Sequence, residues 1–147
     1  MKRIIVTLQT SGEAAAPVGE PPRVYPKGRS ETVTVLQADR GTEHAEQVLL
    51  NGISYENDVT FTSEATFVES GTICVGQGAG TLMVNTVGEG HLAPTPDPAV
   101  VSGAVTWRIV EAHGLLDGAT GLITSTFLLS TEGPEYREYL TAVLFFP

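Results

Sequence analysis

The chain has 147 residues, with 17 acidic against 8 basic side chains and a formal charge of −9, which argues against nucleic acid or an anionic membrane surface as the main partner. A single domain of this length buries roughly two thirds of the surface its unfolded form exposes, so it can hold a core without metals or disulfides. The lone cysteine, Cys74, excludes an internal disulfide, and no window approaches the roughly 20 apolar residues that a membrane-spanning helix needs.

The N-terminal Met-Lys-Arg-Ile-Ile-Val-Thr-Leu-Gln-Thr begins basic, but its apolar stretch is interrupted and shorter than a secretory core. The expectation is an uncleaved chain in the cytoplasm. Residues 1–30 carry five basic groups against two acids, and the remainder carries three against fifteen, so the two parts attract each other. Residues 11–30 are rich in Gly, Pro and Ala and show neither a helical nor an alternating apolar period. They read as an extended arm, equally compatible with a floppy linker and with a segment laid on the barrel described below or on a neighbouring subunit. The division is therefore an N-terminal strand and arm over 1–30 and a main domain over 31–147.

From Glu31 onward the pattern is that of strands: residues 32–36, 59–62, 72–75, 81–84, 100–110, 121–129 and 140–146 are β-branched or aromatic runs separated by Gly, Pro, Asn and Asp. Residues 41–50 could form two short helical turns. Gly76-Gln-Gly-Ala-Gly80 lacks the Gly-Lys-Ser/Thr and the following helix of a phosphate cradle, and reads as a hairpin or bulge. The long Gly/Pro loop 88–98, with His91 in it, could cover a barrel mouth, although a spacer is the plainer reading. Gly133-Pro134-Glu135 looks like a helix start. The β-type run Val143-Leu144-Phe145-Phe146 instead favours a last strand. Seven or eight short strands in this length imply a sandwich or a closed barrel, and closure leaves no edge to aggregate.

Gly114, Leu116, Gly118, Ala119 and Gly121 form a turn of the type G-x-φ-x-G-A-x-G between two strands. With its flanks, residues 105–127, it resembles a signature of the allene oxide cyclase and dirigent barrels. Such a turn needs positive φ and a small residue where backbones approach closely. The resemblance implies an all-β fold: a single closed antiparallel eight-stranded β-barrel, allene oxide cyclase- or lipocalin-like, assembled as a homodimer or homotrimer around an apolar ligand. Enzymes of these families steer a reactive intermediate into one product by shape, and similar small bacterial barrels catalyse cycloadditions on polyketides. Aligning the family's Asp-Arg-Gly on Asp39-Arg40-Gly41 puts Thr42-Glu43 where Ser-Pro stands and Thr34 where a floor glutamate stands, so allene oxide cyclase activity itself is not expected. Asn57 matches a polar cavity residue of those enzymes.

The remaining chemistry is sparse. His44, His91 and His113 lie in no metal-ligand spacing, and no nucleophile elbow occurs. Strand alternation places Val105, Trp107 and Ile109 on one face of their strand, and Tyr55, Asn57, Val59 and Phe61 on one face of theirs. Trp107 is then either core filling or a cavity wall. If the second face is inward, Asn57 and Tyr55 are polar handles in an apolar pocket. Glu56, Asp58, and the group Glu135, Tyr136, Arg137 and Glu138 read as solvated.

The sequence thus leads to a cofactor-independent barrel cyclase or isomerase acting on an apolar polyketide- or polyene-like intermediate in natural-product biosynthesis. Asn57 and Tyr55 are the candidate catalytic residues, and Trp107, Phe61, Cys74 and Phe127 the candidate substrate-binding ones. Cys74 as simple packing is the plainer alternative. The competing functions are a barrel that carries an apolar ligand without turnover and a side-chain-filled structural oligomer.

Overall fold

The computed structural model describes residues 2–39 and 42–147, and the side chains of these except 31, 32 and 37–51. It contains ten strands: β1 (Lys2–Glu13), β2 (Arg23–Val24), β3 (Lys27–Asp39), β4 (Thr42–Phe61), β5 (Thr66–Val75), β6 (Gly80–Thr86), β7 (Gly90–Pro94), β8 (Val100–Gly114), β9 (Thr120–Ser130) and β10 (Glu135–Phe146). Every pairing is antiparallel, and eight strands close a ring in the order β4-β3-β1-β10-β9-β8-β6-β5 and back to β4. The short β2 pairs with β4 outside the ring, whereas β7 continues the β6 stave, pairing with β5 on one side and β8 on the other. The expected all-β eight-stranded barrel is therefore the fold, and the described residues include no helix able to cross a membrane.

β1 is a stave of the ring, paired along its whole length with β10 from Lys2↔Phe146 to Glu13↔Glu135. β4 runs as strand from Thr42, so the helical turns expected over 41–50 do not form; pairing with β3 overrides local propensity. Arg40 and Gly41 of the Asp-Arg-Gly segment, and the side chain of His44, lie outside the described residues. Gly133 and Pro134 lie in the bend that precedes the last strand, which begins at Glu135 as the apolar composition after it requires.

Burial alternates along the staves as a half-buried strand dictates. In β10, Tyr136, Glu138, Leu140, Ala142 and Leu144 are buried while their neighbours are exposed or half-buried. In β8, Val105, Trp107 and Ile109 point inward. The interior is not uniform: Ile53, Ile73, Leu82, Ile109, Ile123, Leu140 and Leu144 fill one end. The β8–β9 turn lies at that end, with Leu116 packed against the core and Ala119 buried. Its three glycines all have positive φ: 66° at Gly114, 75° at Gly118 and 139° at Gly121. The β5–β6 connection is a tight turn with Gly76, Gln77 and Gly78 all at positive φ, a hairpin as its glycines indicate.

The other end is crossed by the N-terminal arm, which lies on its own barrel. Ala14 N donates to Pro134 O at 2.8 Å, Phe61 N to Pro22 O at 2.9 Å and Asn57 N to Pro26 O at 3.1 Å. β2 pairs with Val59 and Thr60 of β4, Arg23 pairs with Asp58, and the Arg23 guanidinium sits 5.6 Å from the Tyr25 ring centre. Where β5 leaves β6 for β7, the Thr86 hydroxyl accepts from Glu69 N and donates to Glu69 O, satisfying the backbone at the break.

A β-carbon at Gly121 would overlap Val143 O, whereas one at Gly78 meets open space, although both residues have positive φ. Gly78→Ala should cost about 1 kcal/mol from backbone strain alone, and Gly121→Ala about 3 kcal/mol or more, because clash adds to strain. Denaturant unfolding of both variants measures the gap, and equal losses would contradict this account of the turn.

Candidate functional site

The arm-covered half of the barrel is hollow, with a cavity of about 520 Å³, within the ordinary range for a small-molecule site. Its walls are apolar, formed by Val59, Phe61, Phe67, Leu92, Phe127 and Leu129, and Ala14 to Pro17 with Val24 and Pro26 line it from the arm. The aromatic walls touch one another: Phe67 lies 6.2 Å from Phe61 and 6.0 Å from Phe127 between ring centres, with tilted planes. Deeper in, the lining becomes polar, with Tyr55, Asn57, Glu69, Tyr136 and Glu138.

Cross-strand pairing places these groups. Five lining side chains lie opposite a glycine: Tyr136 opposite Gly12, Tyr55 opposite Gly28, Asn57 opposite Gly71, Phe67 opposite Gly90 and Phe127 opposite Gly103. At each glycine, an added β-carbon would run into the side chain across from it. The missing side chains are the room in which the site residues lie.

Two carboxyls are buried in the polar part. Glu69 Oε1 accepts from Trp107 Nε1 at 2.7 Å, and its Oε2 accepts from Asn57 Nδ2 at 3.0 Å. Burial pushes its pKa up to about 7; the Trp107 bond opposes that, the charge of Glu138 adds to it, and the Asn57 bond opposes it. Glu138 Oε2 accepts from Ser125 Oγ at 2.5 Å. Burial raises this carboxyl too, with the Ser125, Tyr55 and Thr10 hydroxyls pulling it part of the way back. Tyr55 donates to the Tyr136 hydroxyl at 2.6 Å and receives a longer contact of 3.4 Å from Thr10. Burial first, and the Glu138 charge after it, holds the Tyr55 hydroxyl protonated; burial likewise raises Tyr136.

Two buried polar atoms among the described residues have no hydrogen-bond partner, Asn57 Oδ1 and Glu138 Oε1. Asn57 Oδ1 lies over the Cα of Gly71, filling the space of the absent side chain. Glu138 Oε1 is thus the buried acceptor whose missing donor the fold does not account for. A neutral carboxyl that titrates near 7 exchanges protons readily at neutral pH, and a buried one can do so next to an apolar substrate.

Tyr55, Asn57, Phe61 and Phe127 come together in this cavity. Trp107 does not line it: fully buried, it supports Glu69 from beneath. Cys74 does not belong to the site. Its neighbour Ile73 takes the inward position, so alternation turns Cys74 to the outer face between Ser54 and Thr81. Tyr136 and Glu138, expected in solvent, are only 6% and 5% exposed, because their face of β10 continues as Leu140, Ala142 and Leu144. Glu56 is exposed and Asp58 half-exposed on the outside, as expected. His91 and His113 are exposed outside the cavity, and His113 Nε2 sits 3.2 Å from Glu111. Among the described residues, no group of three His, Cys, Asp or Glu side chains could hold a metal ion. Comparison of the chain with protein-family models, curated proteins and solved structures finds no match.

The Glu69 carboxyl binds its proton more tightly folded, at about 7, than at its ordinary value of 4.5. Its contribution to stability is therefore complete below pH 4.5 and lost as pH rises through about 7, a fall of about 3 kcal/mol. Glu138 acts in the same direction. Urea unfolding at pH 5 and pH 8 should show this decline, and Glu69→Gln should remove about 3 kcal/mol of it; an equally steep decline in the variant would refute the assignment.

Proposed function

We propose that this barrel binds one apolar polyketide- or polyene-like molecule in its hollow and promotes its cyclisation without a cofactor. The observation that carries the reading is the cavity itself: apolar aromatic walls leading down to two buried carboxyls, one of them titrating near neutrality. The resemblance of the Gly114 to Gly121 turn to the allene oxide cyclase and dirigent barrels supports it.

Confinement supplies the larger part of the rate. A flexible chain folded against Phe61, Phe67 and Phe127 has its reacting ends held together, and good alignment is worth on the order of 7 kcal/mol or more. Water is displaced from the same space, which strengthens every polar interaction at the floor. Glu69 is the group that gives or takes a proton as charge develops on a bound carbonyl or hydroxyl. Trp107 and Asn57 are positioning residues for it, since each spends a donor on one of its oxygens. Tyr55 orients Tyr136 through their mutual bond, and Tyr136 presents its hydroxyl to the cavity.

Incubation of the protein with linear precursors that bear both reacting ends tests this, with ring formation followed by chromatography and mass spectrometry. Cyclisation should exceed the rate in buffer, and Glu69→Gln should lower kcat by about 100-fold or more with KM little changed. A precursor that binds and returns unchanged would establish a carrier instead.

A further inference from the structure

Resting on that reading of the hollow as a small-molecule pocket, we propose that its ligand carries a basic nitrogen, bound as the ammonium ion against Glu138. The lining is one-sided in charge: three glutamates line the cavity, the exposed Glu135 at its rim and the buried Glu69 and Glu138 within, and no Lys, Arg or His lines it among the described residues. An anionic headgroup would meet no countercharge there. A neutral one would bring no countercharge to Glu138, whose Oε1 has no donor, and an unpaired charge in an apolar surround is the costly arrangement.

The hydrogen-bond accounting points the same way. Both partnerless buried atoms are oxygens, and Oδ1 of Asn57 is turned onto Gly71. Glu138 Oε1 is what remains, at the end of a side chain only 5% exposed. An N–H donor completes it. The aromatic rings of Phe61, Phe67 and Phe127 suit the rest of such a molecule, since ring faces attract cations and alkyl chains alike. The chain's formal charge of −9 draws cations towards the protein before any contact is made.

The groups facing Glu138 are Thr10 on β1, Tyr55 on β4, Glu69 on β5, Ser125 on β9 and Tyr136 on its own strand. None of these is a cation. Because burial holds both carboxyls above their ordinary range, an incoming ammonium draws them back down and a proton leaves to solvent. Affinity should therefore strengthen as pH rises through neutrality, until the amine loses its own proton.

Three probes of one chain length isolate the headgroup: N,N-dimethyldecylamine, 1-decanol and decanoate. Trp107, the single tryptophan, reports occupancy through its bond to Glu69, and calorimetry in two buffers of different ionisation enthalpy counts protons released. The amine should bind at least about tenfold more tightly than decanol at pH 8, tighten about tenfold from pH 6 to pH 8 with proton release, and exceed decanoate by more. Glu138→Gln, which keeps the side chain's shape, should bind the amine no better than decanol, and a melting temperature near that of the parent shows that it folds. Decanol matching the amine, or an amine affinity flat in pH, would overturn the ammonium assignment and leave the pocket standing. If none of the three binds, the pocket reading falls and this inference falls with it.

Discussion

Glycines directly across the ladder from large side chains set the interior of this barrel. A closed eight-stranded ring has an inside only wide enough to be filled by side chains or to hold one small ligand. Gly12, Gly28, Gly71, Gly90 and Gly103 decide for the second at one end, because each gives up its own inward volume to the residue opposite. Tyr136, Tyr55, Asn57, Phe67 and Phe127 lie over those backbones instead of projecting across the centre. A glycine weakens a strand by losing packing and by ordering a freer backbone, so five in these positions are a cost that only an opened interior offsets. At the far end, Ile53, Ile73, Leu82, Ile109, Ile123 and Leu144 meet across the ring, and the barrel is solid.

The hollow then poses an electrostatic problem. Glu69 and Glu138 sit on staves that are otherwise apolar inside, and a buried carboxyl is tolerated only when it is neutral or well supplied with donors. Trp107 meets part of this need. Fully buried at the boundary between the packed and hollow halves, it aims its one donor at Glu69, and so couples the solid core to the titrating group. Asn57 supplies the second donor, and its own position depends on Gly71. Ser125 does for Glu138 what Trp107 does for Glu69, but no counterpart of Asn57 serves the second oxygen. The site is thus asymmetric, with one carboxyl fully served and one with an oxygen free.

Much of this was legible in the sequence, and what was missed has a physical reason. The strands announced themselves by composition, and period-two alternation put Tyr55, Asn57 and Phe61 on one face, which the structure turns inward. The positive φ values of Gly114, Gly118 and Gly121 follow from the turn pattern. Glu138 escaped because a charged residue is read first as solvated, and Glu69 was not singled out at all. The signal was present: Glu69 is in phase with Phe67 and Ile73, and Glu138 with Leu140, Ala142 and Leu144. A carboxyl in phase with an apolar face is either an error of register or a functional group, and the pairing of β10 with both neighbours fixes its register. Cys74 failed by the same rule, being out of phase with Ile73. The strand character of 42–50 could not be read locally, since it depends on pairing with β3.

The arm connects the hollow to its use. Residues 14–26 carry few groups able to form a core of their own, yet their backbone is tied to β4 and to the β9–β10 turn by three main-chain bonds besides the β2–β4 pairing. Ala14, Ala15, Ala16 and Pro17 reach the cavity with the smallest side chains available, so the arm roofs the space without filling it. Prolines reduce the freedom the arm must lose on docking, and the exposed Arg23–Asp58 pair adds little on its own because solvent screens it. A roof held by backbone bonds rather than by a hydrophobic face leaves the volume beneath it free. On the proposed function, that free volume is where a ligand would meet the buried carboxyl that titrates near 7.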